Sequence, residues 1–229
     1  MTEFFEIGIF PLILTLAAFR IGQKCQARWK IPLFNPTLIG MILVIVFLIV
    51  TGMDIGTYKA GATTISWLMT PATIALAIPM YEQFQALKKN LAAIVAGVAA
   101  GAVSCLLIIL AGGLLLKFDT ALLISLMPKS VTTAIGVSLS EMFGGMGAVT
   151  TAAIIVTGII ANMMGLTFCK MFRITHPVAQ GVAFGTAGHV IGTAKASEAN
   201  PLTGAVSSLS LVVAGLLTAV LFPVMTSFF

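Results

Sequence analysis

Long apolar blocks, at residues 5–19, 36–50, 91–116, 148–168 and 206–222, are the feature that most constrains this chain. They approach the roughly 20 residues of helix that cross a bilayer's hydrocarbon core. A helix satisfies its own backbone donors and acceptors in lipid, whereas a lone strand leaves them unpaired. The blocks therefore predict an all-α, polytopic transmembrane helix bundle. Charge usage agrees, since only 8% of the residues are charged and a soluble domain carries about a quarter. No stretch is left for a sizeable soluble domain, and residues 1–229 read as one membrane domain.

The formal net charge of +5 could point to a nucleic acid, but the basic residues sit in short connections and form no continuous stripe. They read as topology signals. Arg20, Lys24, Arg28 and Lys30 crowd into what looks like a loop closed by Pro32, which makes that loop cytoplasmic and puts the N-terminus outside. Glu3 and Glu6 stand where a signal peptide would be basic, so the first helix is expected to be retained. Further connections are expected at residues 51–59, at Lys88 and Lys89, at Lys117 and Asp119, at 144–147, and around Lys170, Arg173 and His176. Cys25, Cys105 and Cys169 lack CxxC spacing or a metal-ligand grouping and read as two apolar fillers and a loop thiol. No metal, disulfide or cofactor is expected. The chain also lacks HExxH, GxSxG and Walker patterns, and neither Asp54 nor Asp119 lies within a long apolar block. An enzyme is therefore not expected.

Two segments, 66–83 and 180–198, are too polar or too rich in Gly and Pro for plain lipid-facing spans and are expected to be broken helices. Slid over one another they pair Thr70 with Thr186 and Glu82 with Glu198; one residue further along, Pro11 meets Pro128 and Thr15 meets Thr132. The chain thus divides into two similar halves, about 1–117 and 118–229. Interrupted hydrophobic segments at matching places in two halves are the usual pointer to a transport site near the bilayer midplane. Reading the broken segments as re-entrant hairpins moves more Lys and Arg to the cytoplasmic side. That arrangement makes the repeat an inverted one.

Two constellations could carry chemistry. In the first, Lys129 lies deep in an apolar block, beside Pro128 and among Ser130, Thr132 and Thr133. A charge at that depth costs several kcal/mol and must face protein, water or an anion. Pro128 removes a backbone donor, and the hydroxyls can satisfy loosened backbone groups or aim donors at a ligand. An ammonium with hydroxyls makes a cradle for a carboxylate; the plain alternative is a snorkelling lysine and hydroxyls that bond neighbouring helices. In the second, Gly185, Gly188 and Gly192 allow close backbone approach, while Thr186, His189, Thr193, Lys195 and Glu198 supply polar groups. Helical spacing puts Thr186, His189 and Thr193 near one face, and Gly185 with Gly188 would admit an unwound turn whose amides attract an anion. His189 could relay a proton, or could simply bond a carbonyl within helix packing. Lys195 and Glu198 could pair on a helix face. Asn35 before Pro36 is a helix entry or part of a site; Ser207 and Ser208 could line a path; Glu82, Glu141 and Glu198 are further candidates for proton coupling.

At these motifs the sequence resembles the LrgB/CidB family, which includes the YohK-type bacterial proteins and the C-terminal half of the plastid glycolate/glycerate translocator. The matching residues are the entry at 35–39, PKSVTT at 128–133, GTAGHVIGTAKA at 185–196 and GAVSSLS at 204–210. Ala134, where a second proline is expected, and Gly188, where a small polar residue or Ala is common, depart from the pattern. The resemblance implies a bacterial inner-membrane protein that works with a small LrgA/CidA-type membrane partner and leaves room for a homo-oligomer. It implies either a holin- or antiholin-like modulator of murein hydrolase activity and autolysis, or a transporter of small carboxylate anions such as pyruvate, glycolate and glycerate. With the cationic and hydroxyl-rich constellations, the transporter is the leading expectation. Lys129 and the broken-helix amides would then offset the charge, and the hydroxyls would orient the ligand.

Overall fold

The computed structural model describes residues 10–29 and 34–227, and the ordered elements among them are helices. They are α1 (Phe10–Trp29), α2 (Pro36–Thr51), α3 (Ile55–Gly61), α4 (Thr63–Ala75), α5 (Ala77–Glu82), α6 (Phe84–Lys89), α7 (Leu91–Leu115), α8 (Thr120–Leu126), α9 (Thr133–Met142), α10 (Gly147–Met171), α11 (Pro177–Ala199) and α12 (Pro201–Thr226). Four stretches, Thr63–Glu82, Leu91–Leu115, Gly147–Met171 and Pro201–Thr226, are long and apolar enough to cross a membrane. The chain forms two compact units, Met1–Ala75 and Leu76–Phe229.

In the first unit α1 and α2 form a helical hairpin. Gly22 lies against the backbone of Pro36, and Gly40 against the backbone of Ala18 and Phe19. Small residues let the two backbones approach, which is how helices associate where lipid removes the hydrophobic drive between them. Asn35 caps α2 by accepting from the amides of Thr37 and Leu38 at 2.9 and 3.4 Å, with Pro36 at the first position. Gly52 ends that helix with φ 66°, a left-handed turn that glycine adopts without a side-chain clash. Thr15 and the hydroxyl of Tyr58 on α3 meet at 2.7 Å.

Several expected loops are helical. Arg20, Lys24, Arg28 and Trp29 continue α1; Lys30 and Pro32 lie outside the described residues, as do the acidic start and residues 5–9 of the first apolar block. Arg, Lys, Gln and Ala are good helix formers, so polarity there marks where the helix leaves the apolar layer and not where it ends. Lys59, Lys88, Lys89 and Lys170 likewise sit in last helical turns, where cations suit the helix dipole.

In the second unit α12 is the most enclosed of the apolar spans, with 56% of its apolar window buried against 22% for both α7 and α10. It packs on α11, α7, α9 and α5, and the core on its α7 side contains Ile94, Val98, Ala205, Val206 and Ala214. Phe222, Leu106 and Met127 close a second cluster. α11 lies against α12 almost backbone to backbone, because Gly181 faces the Thr203 carbonyl and Gly185 faces Ser207 and Ser210. A buried hydroxyl network ties α8, α9 and α10 together. Thr150 Oγ1 donates to the Ser125 carbonyl or to Ser140 Oγ, at 2.9 and 2.7 Å, and the Met146 amide donates to Ser125 Oγ at 2.7 Å.

Candidate functional site

Of the two segments expected to be broken, 66–83 divides at Leu76 between α4 and α5, and 180–198 is interrupted inside α11; the second unit holds a further interruption, around Pro128. α8 stops at Leu126 and α9 starts at Thr133, leaving Met127, Pro128, Lys129, Ser130, Val131 and Thr132 outside either helix. Pro128 has no amide to donate. Beyond it the chain is held by loose turns, with the Lys129 amide 3.2 Å from the Leu126 carbonyl and the Val131 amide 3.4 Å from that of Pro128. Thr132 is extended at the N-cap position of α9, and its hydroxyl makes no cap bond.

The second interruption lies within α11, at His189, whose φ of 41° and ψ of −144° are not helical. The expected unwound turn falls here and not on Gly185 or Gly188. A non-glycine residue with positive φ carries a cost of about 1–3 kcal/mol and persists where its surroundings over-determine it. Two contacts do so: His189 Nε2 donates to the Ile154 carbonyl on α10 at 2.8 Å, and the His189 carbonyl accepts from Thr193 Oγ1 at 2.8 Å. Lys129, from the interruption around Pro128, and Ala187, two residues before the one at His189, line the same two clefts.

Lys129 is partly buried, and among the described residues no carboxylate lies within ion-pair distance of it. Its Nζ donates to Ser130 Oγ, at 3.3 Å, and Ser130 Oγ lies 3.2 Å from Cys105 Sγ on α7. These residues, with Gly101 and Thr186, line a cleft of about 350 Å³. Among the described residues the Thr186 hydroxyl, on a residue 6% exposed, has no hydrogen-bond partner. Lys129 and Thr186 thus line one cleft, with the Thr186 oxygen itself buried beneath its surface. A second cleft, of about 290 Å³, also reaches Lys129 but runs between α10 and α11 and is lined by Thr157, Phe168, Phe172 and Phe184. Ala183 and Ala187 line both clefts.

The expected single face of Thr186, His189 and Thr193 does not exist. Thr186 points to the α7 side, His189 bonds α10, and Thr193 bonds Ser207 on α12 at 2.9 Å. The break between the first and last of them abolishes the helical register on which that face relied. Ser207 and Ser208 are buried in the helix seam, the latter bonded to the Gly204 carbonyl at 3.0 Å. Neither lines a cleft with Lys129. Gly192 packs toward the Phe184 carbonyl. Lys195 and Glu198 form an ion pair of 2.8 Å, with the Glu198 side chain 67% exposed. Glu82 and Glu141 are exposed near helix ends, and Thr133 is exposed at the start of α9. Asn35, the α2 cap, belongs to the first unit.

Ser104 and Cys105 line the cleft with Lys129, and sequence reasoning misses both, taking Cys105 for filler. A signal is present in the sequence all the same: Ala93, Gly97, Gly101 and Cys105 recur every four residues, so a stripe of small residues runs along one face of α7. Among the described residues no group of three His, Cys, Asp or Glu could hold a metal ion.

Comparison with known proteins gives a consistent result. No solved structure matches the chain. The chain is 36% identical over 220 residues to the antiholin-like protein LrgB of Bacillus cereus, covering 96% of both chains, and it matches the protein of the same name from Bacillus anthracis equally well. The model of the LrgB-like family matches residues 15–228. With its apolar spans and helical architecture, this chain is a multi-pass membrane protein that belongs to the LrgB-like family.

Proposed function

We propose that this protein is an antiholin-like modulator of murein hydrolase activity and autolysis, seated in the bacterial inner membrane with its N-terminus outside. It acts there with a small LrgA/CidA-type membrane protein. The observation that carries this reading is the match along nearly the whole chain to relatives named antiholin-like. The test is detergent-induced lysis of cells lacking the gene, with and without the gene restored together with its partner. Faster lysis in the deleted strain, reversed by restoration, is the expected result. Identical lysis curves in all strains would remove it.

A second reading is favoured by one specific feature, the ammonium of Lys129, which has no carboxylate partner among the described residues and lies in a helix interruption of the second unit. Unpaired cations inside membrane proteins mark ion or substrate paths. In this reading the protein carries small monocarboxylates of the pyruvate, glycolate and glycerate class. Lys129 offsets the carboxylate charge and the Ser130 and Thr186 hydroxyls orient it, within the second of two inversely related halves. Uptake of radiolabelled pyruvate and glycolate into proteoliposomes under a pH gradient, with and without the partner, tests it. Saturable uptake that Lys129→Ala abolishes is expected, and leakage equal to that of an unrelated sugar would end this reading.

A further inference from the structure

Lys129 lines two clefts, both largely apolar. The first adds Ser104, Cys105, Ser130 and Thr186 to its lining. The second is lined by Ile160, Gly165, Phe168, Phe172, Ile174 and Phe184. Beyond Lys129, the only polar side-chain atoms among its lining residues are those of Thr157 and Cys169. An apolar cleft in a membrane protein would by itself say only that lipid touches it. This one includes a cation with no acidic partner among the described residues, and charge complementarity then specifies the head group of the occupant.

We propose that the cleft between α10 and α11 is a subsite for the alkyl chain of an aliphatic monocarboxylate of about eight carbons, whose carboxylate is held by Lys129. The proposal rests on the carrier reading only for the role of Lys129 as the carboxylate holder. A volume of about 290 Å³ accommodates on the order of ten groups the size of a water or a methylene, at ~30 Å³ each. That matches one short chain with its head group. Short hydroxy acids would use the first cleft and longer aliphatic acids the second, with Ala183 and Ala187 lining both.

The test is binding to the full chain in lipid vesicles, read by thermal unfolding in the presence of acetate, butyrate, hexanoate, octanoate or the uncharged control octanol. Binding to the folded state raises the unfolding temperature. Each methylene buried should tighten binding about fourfold, up to roughly eight carbons, with no stabilisation by octanol. Lys129→Ala should remove the effect of octanoate. Phe168→Ala and Phe172→Ala, which remove lining rings without adding bulk, should each weaken octanoate binding at least tenfold and leave glycolate uptake intact. Equal stabilisation by octanol and octanoate would mean that a bilayer chain occupies the cleft, and would overturn the proposal. So would octanoate binding that both cleft variants retain. If octanoate binds as described while no glycolate uptake is found under any condition, the carrier reading fails and the subsite stands. Saturable glycolate uptake without octanoate binding would do the opposite, overturning the subsite and leaving the carrier in place.

Discussion

His189 Nε2 and the main-chain carbonyl of Ile154 lie 2.8 Å apart, joined across 35 residues of sequence. The bond holds a residue whose φ of 41° favours glycine. Backbone and side chain therefore make opposite demands at this position, and two substitutions separate them. His189→Ala loses the bond and keeps the strain, whereas His189→Gly loses the bond and relieves the strain. The glycine variant should be the more stable by about 1 kcal/mol, measured by unfolding in the same micelles. Equal stabilities would mean that the break is not at this residue.

Thr186→Val should separate function from stability. Among the described residues the Thr186 hydroxyl is buried without a partner, and replacing such a group with an apolar one of the same shape is neutral or stabilising, by up to about 1–3 kcal/mol. If the hydroxyl serves an anion, the more stable variant should take up glycolate several-fold more slowly. A loss of stability would instead reveal an internal partner.

Gly185→Ala tests the closeness of α11 and α12. A Cβ there would collide with the Ser207 carbonyl and lie 2.7 Å from Ser210 Cβ. The helices must separate, at a cost of about 1–3 kcal/mol. Gly112→Ala, where a Cβ meets nothing within 4 Å, should cause no loss and serves as the control.

Thr150→Val should destabilise the protein by about 1–3 kcal/mol, because it strips a donor from the Ser125 carbonyl and Ser140 Oγ in the buried network. Ser140→Ala should cost less, since Thr150 Oγ1 keeps its bond to Ser125. Melting curves of the two variants, side by side, give the comparison.

Lys195→Ala should change stability by less than about 1 kcal/mol, because its partner Glu198 is 67% exposed. If this substitution nevertheless stops lysis control or uptake, the pair acts in coupling and not in packing.

The helical bundle and the break at Pro128 are legible in the sequence because each rests on a local cost. Lipid forbids unpaired backbone, proline lacks a donor, and a lysine at depth needs a reason to be there. The place of the second break is not legible. Three glycines offer the left-handed conformation, yet it falls on His189, where a carbonyl of α10 and a hydroxyl one turn later hold it, and both depend on tertiary packing. The same break explains why Thr186 and Thr193 diverge, since a helical wheel drawn through residue 189 assumes a register that the chain does not keep. Arg20 to Trp29 read as a loop because polarity marks the edge of the membrane, while the helix is free to continue past it. Cys105 reads as filler because its neighbour Ser130 is 25 residues away.

The seam between α11 and α12 joins its helices by glycine contacts and by hydroxyls such as Thr193 to Ser207, with the single nearby ion pair exposed on its flank. Mobile ions screen attraction between exposed charges within about 10 Å at 0.1 M salt, but they have no purchase on van der Waals contact or a buried hydroxyl pair. The grip of these two helices is thereby made indifferent to ionic strength, and a cell whose surroundings swing between dilute and saline leaves this joint unaltered.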